Sequence, residues 1–183
     1  RARPGACARA EKAVMQQGYS AAEVVEQLAA VPEAVVETFR ALCGTDLERM
    51  PDDFDAGEVG AEGLVLAVVS LVGDVEWSLI LAMPRQVATG LASEFAGFEI
   101  PFDSSDMGDA IGELANVVGG TTKALLDRRS VSAELSLPSV IRAQRMEVLL
   151  QKNQSSAHRF WFRSPHGLLG VSVLAGGTAA LGI

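Results

Sequence analysis

The stretch DAIGELANVVGGTTKALLDRRSVSAELSLP, residues 109–138, decides the fold of this chain. It holds Asp109, Glu113 and Asn116 at spacings of four and three, and twenty-one residues separate Asn116 from Pro138. Residues three and four apart lie on one face of an α-helix. The first three side chains therefore project together, and they offer carboxylate and amide groups that can orient a water or hold a phosphorylated partner.

The pattern lies within a predicted amphipathic helix over residues 104–127, with Asp103 or Ser104 as the N-cap. One face of this helix is apolar and the opposite face is polar, so one side should pack while the other stays accessible. The apolar stripe is Met107, Ile111, Leu114, Val118 and Leu125. The polar stripe is Asp106, Asp109, Glu113, Asn116, Gly120, Lys123 and Asp127.

Glu113 and Asn116 are the residues of this stripe with the most chemistry. Three helical residues advance about 4.5 Å and turn back by roughly 60°, so the two side chains are neighbours. An Asn amide has one acceptor and two donors and carries no charge that would repel a phosphoryl group. A Glu beside it can pair with a partner's Lys. Phosphoryl transfer depends mainly on positioning and charge compensation, so two such residues suffice in principle.

A polar stripe of this kind is more often a solvated helix face, and that interpretation stays open. Two features weigh against it. Asn is a poor helix-interior residue, and each glycine of Gly119-Gly120 costs about 1 kcal/mol relative to alanine. Local rules that are broken together are typical of a functional surface or of close packing against a neighbour.

Composition limits the function classes. The 183 residues are 49% hydrophobic but only 5% aromatic, which indicates an aliphatic core. A net charge of −8 disfavours nucleic acid and anionic lipid as partners. No apolar run approaches the roughly 18 residues of a membrane span. The two cysteines, Cys7 and Cys43, match no metal or disulfide spacing and indicate reduced thiols in the cytoplasm.

The order of predicted elements indicates an α+β domain, with helices packed on a twisted and mainly antiparallel sheet. Residues 1–19 carry four basic residues and one acidic residue, and we interpret them as a disordered or non-native extension of a single domain over residues 20–183. The predicted elements are two helices, the second ending at Gly44, a loop over 45–60, a hairpin of strands 64–72 and 75–83, a helix from Pro84 to Gly97, the helix over 104–127, and strands 131–137, 141–150, 157–163 and 168–175.

The stretch from Asp109 to Pro138 resembles the signature of the CheC/CheX/FliY chemotaxis phosphatases. That signature is Asp or Ser, three residues, Glu, two residues, Asn, twenty-one residues and Pro, and the chain matches each specified position. The only other asparagine, Asn153, follows Leu150 at the −3 position and completes no second E-x2-N. A single site per chain resembles CheX rather than CheC, which carries two.

The resemblance implies a CheC-like fold and a phosphatase that removes the aspartyl phosphate of a CheY-type response regulator. By that resemblance Asn116 orients the hydrolytic water and Glu113 contacts the regulator's Lys, while Asp109 supports the helix face and Pro138 shapes the chain after it. It also implies a cytoplasmic homodimer with no cofactor of its own, because Mg²⁺ belongs to the regulator.

Two other function classes stay open at this point. One is a non-catalytic adaptor that binds a response regulator or a flagellar switch component. The other is a structural domain of a larger signalling protein. The intact pair of Glu113 and Asn116 favours the enzyme, because an adaptor has no need of the amide.

Overall fold

The structure, a computed structural model, describes residues 21–57, 60, 62–143 and 155–176. Within these ranges the chain forms four helices and seven strands. The helices are α1 (Ala21–Leu28), α2 (Ala30–Cys43), α3 (Arg85–Ala96) and α4 (Ser105–Asp127). The strands are β1 (Glu48–Arg49), β2 (Leu64–Gly73), β3 (Glu76–Pro84), β4 (Ala133–Leu135), β5 (Ser139–Ala143), β6 (Ser155–Ser164) and β7 (Gly167–Gly176).

The strands form one sheet in the order β1-β6-β7-β3-β2-β4, and β5 pairs with the same strand, β2, as β4 does. Every pairing is antiparallel, as the short links between strands predict. The β2–β3 and β6–β7 hairpins are joined where β3 pairs with β7. This is the predicted α+β architecture, with helices on a mainly antiparallel sheet.

The core lies between one face of the sheet and the helices. Alternate residues of the central strands point into it, as the period of two requires. On β3 these residues are Trp77, Leu79, Leu81 and Met83, all at most 5% exposed. Helix α4 contacts α2, α3, β2, β4 and β5, so the helix with the signature pattern is held on several sides.

Several predicted boundaries are confirmed because local signals set them. Gly44 and Gly97 adopt left-handed conformations, with φ of 67° and 76°, directly after α2 and α3. Glycine accepts this conformation with little strain and so ends a helix there. The predicted β2–β3 hairpin is also present, and the strands expected over 157–163 and 168–175 appear as β6 and β7, joined by a turn at Pro165-His166.

Other expectations were wrong or lie outside the described residues. The predicted loop over 45–60 contains β1, which pairs with β6. The strand expected over 131–137 is shorter, because the ladder of β4 ends at Leu135 and a new register begins at Ser139. Residues 1–19, 144–150 and Asn153 fall outside the described ranges. No helix in the described part of the chain has the length and apolarity needed to cross a membrane.

Candidate functional site

Helix α4 begins where the sequence predicts. Ser104 has an extended conformation, with φ of −74° and ψ of 162°, and occupies the N-cap position. Its hydroxyl does not cap the helix but donates to the carbonyl oxygen of Pro101 at 2.8 Å. The guanidinium of Arg142 on β5 donates to the carbonyl oxygens of Asp103 and Ser104. The start of the helix is therefore tied to the edge of the sheet.

The apolar stripe of α4 is buried as predicted. Met107, Ile111 and Leu114 are fully buried, and Val118 and Leu125 are at most 5% exposed. Burying each such side chain contributes about 1.5–3 kcal/mol. The orientation of the helix about its own axis is thereby fixed, which also fixes the direction of the opposite face.

The opposite face presents the three helical residues of the pattern together. Asp109 and Glu113 are exposed, and Asn116 is half-buried. Among the described residues, the side-chain hydrogen bonds made from this helix come from Ser105, Thr122 and Lys123 rather than from these three. The two carboxylates and the amide are therefore available to an external group.

Pro138 lies against the same helix. A Cβ at Gly112 would be 3.9 Å from Cγ of Pro138 and 3.3 Å from Cγ2 of Val140. Gly112 immediately precedes Glu113, so the fourth residue of the pattern packs beside the other three and does not share their exposed face.

The two glycines after Asn116 differ in their surroundings. A Cβ at Gly119 would lie 2.7 Å from Cδ1 of Leu135, so close packing explains this glycine, although against side chains rather than backbone. A Cβ at Gly120 would have no atom of the described residues within 4 Å. Gly120 therefore leaves an open surface one helical turn beyond Asn116, and no contact within the described ranges requires it.

An open groove of about 440 Å³ adjoins Asn116. Its walls include Gly120, Thr121 and Ala124 from α4 and Glu37 from α2. In the sequence Glu37 completes no second E-x2-N pattern, because Arg40 stands at the +3 position. Its position beside Asn116 depends on how α2 packs on α4, and no local signal in the sequence reveals that packing.

The histidines do not form a metal site in the described part of the chain. His158 lies half-buried on β6, and burial lowers its pKa, which favours the neutral ring. His166 lies in the β6–β7 turn. No group of three or more His, Cys, Asp or Glu side chains within the described ranges is arranged to hold a metal ion.

His166 instead belongs to a clasp that joins three elements. Its Nε2 donates to Glu94 Oε1 of α3 at 2.8 Å, and Thr45 Oγ1 donates to the other carboxylate oxygen. The imidazole ring fills the space that a Cβ at Gly90 would occupy. Burial raises the pKa of Glu94, but the hydrogen bonds from Thr45 and His166 and the His166 charge outweigh it, so the pKa lies below its ordinary value. We call Thr45, Glu94 and His166 the clasp.

Comparison with known proteins agrees with the expected fold and with the family resemblance. The family model described as "Chemotaxis phosphatase CheX" matches residues 65–160, just over half of the chain. A search of curated proteins gave no significant match.

Solved structures share the fold at low sequence identity. A chemotaxis protein CheX from Desulfovibrio desulfuricans is 20% identical, with a TM-score of 0.67, over 82% of this chain and 99% of that one. CheX from Vibrio vulnificus is 16% identical, with a TM-score of 0.71 and the same coverages. CheX in a CheX–CheY–BeF3–Mg²⁺ complex from Borrelia burgdorferi is 19% identical, with a TM-score of 0.62, over 81% of this chain and 96% of that one.

Proposed function

This chain belongs to the CheX family of chemotaxis phosphatases, and on that premise we propose that it hydrolyses the aspartyl phosphate of a CheY-type response regulator with Asn116 and Glu113. The observation that carries the proposal is the exposed face of α4, where both side chains are accessible on a helix whose other face is buried. A rigid helix that presents these two side chains can enter the phosphorylation site of a partner without rearranging.

Asn116 positions the water. Its amide oxygen accepts a hydrogen bond from the water, while its NH₂ group donates to a phosphoryl oxygen. The water oxygen forms a bond to phosphorus as the bond between phosphorus and the regulator's aspartyl oxygen breaks. The aspartate leaves as a carboxylate, and both protons of the water stay with the inorganic phosphate, which forms as H2PO4⁻. A carboxylate is a good leaving group, so alignment is the main requirement.

Glu113 fixes the docking pose. Its exposed carboxylate forms no ion pair within the described residues, so it is available to a cationic side chain of the regulator. Asp109, one turn earlier, adds negative charge to the same face and supports it. Pro138 acts on structure alone, by packing on Gly112.

The metal in this proposal is the partner's. The regulator brings Mg²⁺ to its own acyl phosphate, and this chain contributes no ligand and no cofactor. We also place the protein in the cytoplasm, where a response regulator acts.

The test follows phosphate loss from a phosphorylated CheY-type regulator in the presence of the chain. We expect Asn116→Ala to slow the catalysed loss by about 100-fold or more, because the water is no longer aligned. Asn153→Ala is the matched control, since it removes the only other asparagine, and it should leave the rate unchanged. Equal rates for wild type and Asn116→Ala, with binding retained, would favour the adaptor.

We propose further that the protein is a homodimer that associates through an edge of its sheet. The edges are β1 at one end and β4 and β5 at the other. Edge strands present unpaired backbone groups, which favour pairing with another strand. Light scattering should give the mass of two chains, and a monomer at all concentrations would contradict the proposal.

A further inference from the structure

Leu137, which directly precedes Pro138, is the most exposed of the large hydrophobic side chains in the described residues. It is 87% exposed, compared with 61% for Phe98 and 45% for Ile141. Single apolar side chains on a surface are common, so exposure alone indicates nothing. The conformation and position of Leu137 set it apart.

A β-bulge turns Leu137 outward. In the β2–β4 ladder Leu71 pairs with Leu135, whereas in the β2–β5 ladder Val68 pairs with Ser139. Three steps along β2 are thus matched by four steps along the partner, so the segment contains one extra residue. A bulge of this kind redirects a side chain and is frequent beside active sites. It allows both Leu135 and Pro138 to face α4, which leaves Leu137 in solvent.

The backbone on both sides of Leu137 is fixed. The N–H of Ser136 donates to the carbonyl oxygen of Ser70 at 2.9 Å, and the N–H of Ser70 donates to the Ser136 hydroxyl at 2.9 Å. That hydroxyl donates in turn to the carbonyl oxygen of Leu137 at 3.1 Å. On the other side, the ring of Pro138 restricts φ and packs beside Gly112. Leu137 is therefore presented on an ordered segment, which lowers the entropy cost of a contact with a partner.

The segment places Leu137 at the same level along α4 as Glu113 and Asn116. Leu135 packs at Gly119 and Pro138 packs at Gly112, so the segment runs antiparallel to α4. Seven helical residues span about 10.5 Å, and three extended residues span about 10 Å, so the two lengths agree. Leu137 then lies beside the turn from Glu113 to Asn116.

Asn116 lies nearer to this segment than Glu113 does. At about 100° per residue, Asn116 lies about 40° around the helix from Gly112, whereas Glu113 lies about 100° away. A partner that reaches Asn116 therefore passes close to Leu137. The exposed carboxylates of Asp109 and Glu113 lie on the side of Asn116 away from the segment.

We propose that Leu137 is an apolar docking anchor that inserts into an aliphatic patch of the phosphorylated regulator and so strengthens its binding to the face that carries Asn116. The proposal rests on the proposed function, because the occupant is the same phosphoprotein. It commits to that partner because Leu137 is continuous with the face that must receive the acyl phosphate. A second copy of this chain is the alternative occupant, since β4 and β5 lie at the sheet edge.

Hydrolysis kinetics test the anchor with Leu137→Asn and Leu137→Met. We expect Leu137→Asn to raise KM for the phosphorylated regulator about tenfold, as for loss of an interface hot spot, with kcat within twofold. Leu137→Met keeps an apolar side chain of similar size and should restore KM to within about threefold of wild type. Phe98→Asn is the matched control at another exposed apolar residue, and its KM should stay within twofold.

A second measurement separates this inference from the proposed function. Binding is measured to a regulator whose aspartate carries beryllium trifluoride, a stable mimic of the acyl phosphate. About tenfold weaker binding by Leu137→Asn supports the anchor even if the wild type shows no hydrolysis. Absence of hydrolysis by the wild type would overturn only the proposed function. Hydrolysis by the wild type together with unchanged KM and binding in Leu137→Asn overturns the anchor alone. If Leu137→Asn converts a dimer to a monomer, Leu137 contacts a second copy of this chain, and this result also overturns the anchor.

Discussion

Gly119 and Leu135 lie so close that a methyl group does not fit between them. A Cβ at 119 would be 2.7 Å from Leu135 Cδ1 and 3.2 Å from Val69 Cγ2, whereas a Cβ at Gly120 would have no atom of the described residues within 4 Å. The two adjacent glycines therefore have different structural roles. Gly119 permits packing of α4 against β2 and β4, and Gly120 keeps the surface beside Asn116 open.

Alanine at these two positions should have opposite consequences. Gly120→Ala gains helix propensity and should raise the free energy of unfolding by about 0.5–1 kcal/mol. Gly119→Ala gains the same propensity but displaces Leu135, so it should be less stable than Gly120→Ala by about 1 kcal/mol or more. Urea denaturation of the two variants measures the difference. Equal stabilities would contradict the packing described for Gly119.

Neutralising Glu113 should weaken docking more than catalysis. Glu113→Gln removes a charge that we propose to pair with a cation of the regulator, and an exposed pair is worth about 0.2–1 kcal/mol. We expect KM to rise by about two- to fivefold and to become less sensitive to salt, with a small change in kcat. Glu99→Gln, an equal change of charge at another exposed position, is the control. The same salt dependence in both variants would exclude a specific role for Glu113.

The clasp should make stability depend on pH in a defined direction. The pKa of Glu94 is lowered in the folded state from an ordinary 4.5, so its ionised form stabilises the fold above that pH. This contribution should fall as the pH drops from about 4.5 through the folded pKa. At neutral pH Glu94→Gln should be less stable than wild type by about 0.5 kcal/mol, given its partial exposure.

Denaturation of wild type and Glu94→Gln across that acidic range measures how much the clasp contributes to the free energy of unfolding. The difference in free energy of unfolding between the two proteins should become smaller as the pH falls. A difference that stays constant would show that the carboxylate charge contributes nothing. Glu99→Gln serves again as the control, since its stability should follow that of wild type.

Cys43 should resist modification in the folded protein. Burial, with a smaller effect from the charge of Glu94, raises the pKa of its thiol to about 12, and the thiol donates to the carbonyl oxygen of Leu91. Because the thiolate is the reactive form, a Cys7→Ser variant should react with a thiol reagent near pH 8 at least about 100-fold more slowly than after unfolding in guanidinium. Similar rates in both states would contradict this environment.

Local signals in the sequence predicted the helices and hairpins well. Gly44 and Gly97 mark helix ends, and the strands expected over 64–72 and 75–83 appear as the β2–β3 hairpin. The exposed face of α4 also follows from its apolar stripe. In each case the signal and the structure it sets lie within a few residues of each other, which is why the sequence alone suffices.

Features that depend on distant partners were not predicted. The two residues of β1 form a strand only because β6 pairs with them, and the bulge at Leu137 appears only when both registers against β2 are known. Glu94 and His166 are brought together from positions 72 residues apart. The sequence contains these residues but no local sign of their pairing.

The position of β7 in the sheet has a consequence for how the chain folds during synthesis. β3 pairs with β7 so that Trp77 lies opposite Ala175, a partner made about a hundred residues later. Until that hairpin is complete, β3 keeps an open edge and its ladder with β7 is unformed. Such long-range pairing slows folding, because a large loop must close before the contacts are gained. We therefore expect the ribosome to release the chain at least as far as Ala175 before the sheet beneath the signature helix can assemble.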